Sequence, residues 1–143
     1  MTEGQKNALA SAKAYLNSVT FSYEGLVKQL EYENFSHEEA VYAADNCGAD
    51  WNEQALKSAK LYLNFSAFSY SGLVNQLEHD NYTPEQAKYG VDNCGADWNE
   101  QAAKKTKEYL DNMSFSRDGL IGQLEFEGFT REEAEYGVSQ AGY

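Results

Sequence analysis

The sequence predicts an all-α protein built from three tandem three-helix repeats, about nine short helices that include helix-turn-helix-like pairs. Three observations carry that prediction. A unit of 47 residues recurs three times within the 143 residues. Apolar residues inside each unit fall at helical spacing behind residues suited to capping. Only seven residues are Val or Ile and the sole proline is Pro84, which starves a β-sheet and leaves long stretches free to be helical.

The repeat is read directly from its anchors. Tyr15-Leu16 returns as Tyr62-Leu63 and Tyr109-Leu110, and Phe21-Ser22 as Phe68-Ser69 and Phe115-Ser116. Gln29-Leu30-Glu31 returns as Gln76-Leu77-Glu78 and Gln123-Leu124-Glu125, and the block DNCGADWNEQA at 45–55 recurs unchanged at 92–102. The boundaries drawn from this period are 4–50, 51–97 and 98–143.

Each copy is expected to hold helices A, B and C, each roughly 15–20 Å long at about 1.5 Å per residue. Helix A of the second copy starts behind Asp50, with Glu53 three residues on as the capping-box partner, and Asp97 with Glu100 serves the third. Ala55, Leu56, Ala59, Tyr62 and Leu63 then form one helical stripe. Ser69 is placed to cap helix B, whose Leu73, Val74 and Leu77 extend the same core. After a break at Asp80-Asn81-Tyr82, helix C opens on Thr83, Pro84 and Gln86, a cap, a first-turn proline and a box residue. Ser36 with Glu39 and Thr130 with Glu133 repeat the box. Helix C presents Ala87, Gly90, Val91 and Cys94, small residues that let a neighbour approach closely. Gly48 and Gly95 suit the left-handed position that ends a helix. Only Gly-Ala-Asp separates one copy from the next, so the copies are expected to stack, with no flexible linker between them.

The net charge is −12, divided as −4, −3 and −4 over the copies, with Glu3 supplying the remainder. Acidity is therefore a property of the repeat. It argues against ordinary binding to a phosphate backbone, which relies on Lys and Arg. The helix B–turn–helix C pair has helix-turn-helix spacing, yet helix C begins His37-Glu38-Glu39, Pro84-Glu85-Gln86 and Arg131-Glu132-Glu133, followed by Glu135. An anionic start repels a duplex, so no direct nucleic-acid binding is expected. No apolar run reaches about 18 residues, so no membrane span is expected.

Little catalytic chemistry is on offer, and the chain is expected to be no enzyme, with no cofactor or metal. Cys47 and Cys94 occupy equivalent positions, with Ala141 in the third copy, and read as small side chains near the end of helix C, too far apart for a disulfide. His37 and His79 do not correspond between copies and read as surface residues. Gly25, Gly72 and Gly119 lack a phosphate-loop pattern and are expected to serve close helix packing. Gln29, Gln76 and Gln123 are expected to hydrogen-bond backbone at a helix end or across a turn. Trp51 and Trp98 read as packing at the junction between copies.

An acidic, Tyr-rich surface suits a basic protein partner, because carboxylates steer a cation and tyrosines supply contact area at low entropic cost. The candidate partner-binding residues are Glu38, Glu39, Glu85, Glu132, Glu133 and Glu135, with Tyr23, Tyr32 and Tyr70, which appear in only one or two copies and are expected to be exposed. Tyr15, Tyr62 and Tyr109, and Tyr42, Tyr89 and Tyr136, recur in every copy and read as structural. The alternative is that acidity merely keeps the protein soluble.

The units DWNEQALKSAKLYL (50–63), FSYSGLVNQLEHDNYTPEQAKYGVDN (68–93) and FSRDGLIGQLEFEGFTREEAEYGV (115–138) resemble the repeat of the Ltp family, the host cell surface-exposed lipoproteins of Gram-positive bacteria and their prophages. The resemblance implies tandem three-helix repeats held on the extracellular face of the envelope by a lipid. It implies a role in superinfection exclusion, in which phage-encoded members block DNA injection by a second phage, with the tape-measure protein as target. The chain shows no signal peptide, lipobox cysteine or Ser-rich spacer, which leaves either a shortened chain or a member lacking an anchor. It has three copies where the resemblance implies two. The expected function is thus a non-enzymatic module that binds a basic or amphipathic protein segment, with the phage tape-measure protein as the implied partner. The alternatives are a structural or adhesive surface module, or an acidic DNA mimic that occupies a nucleic-acid-binding protein.

Overall fold

A computed structural model describes all residues, 1–143, and contains nine α-helices and no strand. The first repeat holds α1 (Glu3–Ser18), α2 (Tyr23–Tyr32) and α3 (His37–Asn46). The second holds α4 (Trp51–Phe65), α5 (Tyr70–His79) and α6 (Pro84–Asn93), and the third α7 (Trp98–Asn112), α8 (Arg117–Phe126) and α9 (Arg131–Gln140). The first helix of each set is longer than expected: α4 has 15 residues, about 22 Å, while α5 and α6 have 10 each.

The caps form where side-chain chemistry placed them. Ser69 accepts the N–H of Gly72 ahead of α5. Both halves of the capping box are present at Ser36 with Glu39, Thr83 with Gln86 and Thr130 with Glu133. A further box, Thr2 with Gln5, opens α1. At α4 only the forward half forms: Asp50 accepts the Glu53 N–H at 3.2 Å, and the Glu53 carboxylate makes no return bond. Two carboxylates facing each other there would repel, whereas Ser or Thr opposite Glu would not.

The turn inside each helix-turn-helix-like pair is a Schellman ending. Asn34 and Asn81 lie at φ 74° and Gly128 at φ 104°, and the next residue's N–H reaches back to Leu30, Leu77 or Leu124 O at 3.1 Å. That next residue is Phe35, Tyr82 or Phe129. Tyr82 and Phe129 are buried, and Phe35 is half-buried against the core of its repeat. Gly48 and Gly95 (φ 78°) end α3 and α6 as expected.

Three separate cores result, one per repeat. Ala55, Ala59, Leu73, Leu77, Tyr82, Ala87 and Val91 make the middle one, with Tyr62, Leu63, Phe68 and Val74 at its margin. The most extensively packed helix pairs are α1–α3, α4–α6 and α7–α9. A Cβ on Gly90 would sit 2.8 Å from the Ala55 carbonyl, and one on Gly137 2.8 Å from that of Ala102, so small residues on the third helix do set the spacing. A continuous apolar stack does not form. Extensive helix packing stays inside each repeat, and the junctions are narrow strips of hydrogen bonds and one aromatic pair.

Candidate functional site: an acidic partner-binding surface

The junction explains most of the buried polar residues. Ser22 accepts the Gly25 N–H as cap and donates to Asp80 O at 2.7 Å in the next repeat; Ser69 does the same toward Glu127 O at 2.6 Å. A Cβ on Gly25 or Gly72 would lie 2.8 Å from that serine Oγ. A Cβ on Gly119 would likewise lie 2.9 Å from Ser116 Oγ, so all three glycines make room for the capping hydroxyl, and at Gly72 the neighbouring repeat's Glu127 carbonyl also comes within 3.5 Å of the added Cβ. Gln54 and Gln101, both buried, accept the Phe21 and Phe68 N–H groups across the same junctions at 3.1 and 3.0 Å. No buried side-chain polar atom is left without a partner.

Trp51 and Trp98 do pack at the junctions. Each lies against the core of the preceding repeat and meets Tyr23 or Tyr70 edge-on, with ring centroids 5.6 Å apart. The same two tyrosines donate to Asp45 at 2.7 Å and Asp92 at 2.6 Å. The bond to Asp45, reinforced by partial burial, pushes the Tyr23 hydroxyl up to about 12, and Asp92 raises Tyr70 in the same way. Tyr23 and Tyr70 are thus half-buried braces, not the exposed residues expected. Tyr32 is 83% exposed, as expected.

The recurring glutamines bond a side chain, where a backbone partner was expected. Gln76 Nε2 donates to the Tyr62 hydroxyl at 3.2 Å, and Tyr62 donates to Asp80 at 2.5 Å. Gln123, Tyr109 and Glu127 repeat the arrangement, and Gln29 joins Tyr15 to Glu33 in the first repeat. Burial, then the Asp80 carboxylate, push Tyr62 up to about 12. The signal was available in the sequence as a Tyr, a Gln 14 residues later and an acid four beyond that, in every copy.

Charge is distributed unevenly in a way the per-repeat tally hides. Segments 22–47, 69–94 and 116–141, the helix-turn-helix-like pairs with their caps, hold 16 of the 23 Asp and Glu but only 4 of the 11 Lys and Arg, a net −12. The long first helices and connections hold the other seven acids and seven bases and are neutral. The whole net charge of the protein therefore sits on the paired helices.

Within those paired helices the candidate glutamates differ in what they can do. Glu38, Glu85 and Glu132 occupy the second position of α3, α6 and α9, are exposed, and make no ion pair in the chain. Glu39 and Glu133 are occupied, each accepting the N–H of its cap residue at 2.9 Å. Glu135 is held by Arg131 Nε at 2.9 Å. Among the six candidate glutamates the free carboxylates are thus one per repeat, each stabilised by a helix N-terminus.

Cys47 and Cys94 are free, half-buried thiols at the ends of α3 and α6, each donating to a carbonyl one turn back. His37 and His79 are exposed. No group of three or more His, Cys, Asp or Glu is placed to hold a metal ion.

The sequence profile of the host cell surface-exposed lipoproteins (Ltp) matches residues 3–47, 50–94 and 97–140. The chain belongs to that family. Among solved structures it is similar to Ltp, a superinfection exclusion protein from the Streptococcus thermophilus temperate phage TP-J34. The match has 35% identity and a TM-score of 0.62, covering 65% of this chain and 97% of that one. The matched span is the length of two of the three Ltp repeats here. No curated protein sequence matches the chain. No helix of this Ltp-family chain is long and apolar enough to cross a membrane.

Proposed function

We propose that this Ltp-family chain is a non-enzymatic superinfection-exclusion module that acts at the outer face of a Gram-positive cell. In this reading it captures a basic or amphipathic segment of an incoming phage's tail, with the tape-measure protein as the partner, and so blocks DNA injection. The observation that carries the reading is the confinement of all twelve net negative charges to the helix-turn-helix-like pairs, with a free carboxylate at the same place in each. That geometry is the one nucleic-acid readers use, but with inverted charge, so its partner is cationic. The likeness to a phage superinfection exclusion protein supports the biological setting.

The test is binding of purified tape-measure protein at low and at physiological salt. Replacing Glu38, Glu85 and Glu132 with Gln, leaving the capping Glu39 and Glu133 in place, is expected to weaken binding several-fold and flatten its salt dependence. Unchanged affinity and salt slope in the triple variant would reject this surface.

A further inference from the structure

A cleft of about 440 Å³ opens between the first two repeats. One wall is apolar: Leu61 and Phe65 on α4, 46% and 85% exposed, stand beside Phe21 and the buried Tyr82. The other end is polar and anionic. Asp80 accepts from Tyr62 and Gln76 but has no Lys or Arg partner in the chain.

The repeat itself serves as a control for what the fold needs. Where α4 has Leu61 and Phe65, α1 has Ala14 and Ser18 and α7 has Glu108 and Asn112, yet all three helices form and pack in the same way. Folding therefore does not require the two large side chains, and leaving them in water is unfavourable. An exposed apolar patch rimmed by polar residues is the mark of an interaction site.

We infer that this cleft seats one apolar side chain of a cationic amphipathic protein segment, whose neighbouring Lys or Arg meets Asp80. The inference rests on the cationic-partner reading above and gives that partner a second, apolar requirement. A protein carrying −12 repels an anionic lipid surface and a second copy of itself, whereas a cationic segment is drawn in. Coulombic attraction brings the segment to the paired helices, and the cleft then lengthens its stay.

The experiment measures binding of two synthetic peptides to the intact chain by fluorescence anisotropy. One is an amphipathic Leu/Lys helix; the other has the same length and charge with Ser in place of Leu. At 0.15 M salt, where screening acts beyond about 8 Å, the Leu/Lys peptide is expected to bind at least roughly tenfold tighter. Leu61→Asn with Phe65→Ser, two exposed positions whose change leaves helicity intact, erases that gap. Glu38→Gln, Glu85→Gln and Glu132→Gln together weaken both peptides and leave the gap standing. Equal binding of both peptides to the unmodified chain, or a gap that survives the Leu61/Phe65 change, overturns the cleft while the acidic surface stands. If neither peptide binds even at low salt, the cationic-partner reading falls and the cleft with it. Self-association abolished by the Leu61/Phe65 change would assign the cleft to a second copy and overturn the proposal.

Discussion

Ser69 performs two tasks with one hydroxyl, and Ser116 performs one. Both accept the N–H three residues on, but only Ser69 also donates across a junction, to Glu127 O. Ser69→Ala is expected to cost about 2 kcal/mol, a cap near 1 plus a hydrogen bond near 1, against about 1 for Ser116→Ala. Urea unfolding followed by circular dichroism reads the difference, and equal costs would contradict the bridging role. Tyr23 and Tyr62 make a pH prediction. Their folded values near 12 lie above the unfolded value of 10, so their contribution to stability is complete below pH 10 and is lost as pH rises through about 12. Titration followed at the tyrosinate absorbance is expected to show these two ionising last, and Tyr62→Phe removes one of them. The caps were legible because a Ser or Thr three residues before Glu or Gln has few other uses. The second bond of each serine was not, since its acceptor is a carbonyl 58 residues away. Tyr23 and Tyr70 were misplaced for a related reason. Their absence from the third copy reads as freedom, whereas it tracks the Trp51 and Trp98 that brace them from the following repeat.

At the scale of the helix, spacing is set by single atoms. Gly90→Ala would drive a Cβ into the Ala55 carbonyl and is expected to destabilise the protein by about 1–3 kcal/mol, read as a lowered urea midpoint. Asn81, held at φ 74°, is expected to tolerate Gly and to lose about 1 kcal/mol as Ala, because a Cβ without a local hydrogen bond is disfavoured there. Helix positions and their buried stripes were readable from period and caps, and the core of the second repeat consists largely of the residues those stripes named. The length of α4 was less readable. Its last turn runs past Leu63 into Asn64 and Phe65, which are exposed, lie outside the buried core of the repeat and so leave no periodic signal.

For the whole molecule, three cores joined by narrow junctions make stability divisible. Trp98 is a principal apolar link from the third repeat back to the second. Trp98→Ala is expected to split urea unfolding into separate transitions while leaving helix content in native buffer nearly unchanged; a single sharp transition would show that the repeats remain coupled without it. The same division repeats the surface chemistry, because each repeat carries an exposed glutamate without an ion pair, Glu38, Glu85 or Glu132, at the start of its third helix. That all twelve net charges lie on the paired helices was countable in the sequence once their bounds were known, but a tally by repeat averages it away. We propose that the acidic helix pairs stop phage DNA from entering the cell by gripping a cationic tail segment. The most direct measurement is phage DNA injection into cells that display the chain on their surface, compared with cells displaying the Glu38→Gln, Glu85→Gln, Glu132→Gln variant at equal density. The expected result is normal adsorption with blocked injection for the unmodified chain and restored injection for the variant. Injection that proceeds equally in both, across a broad phage panel, would contradict the account.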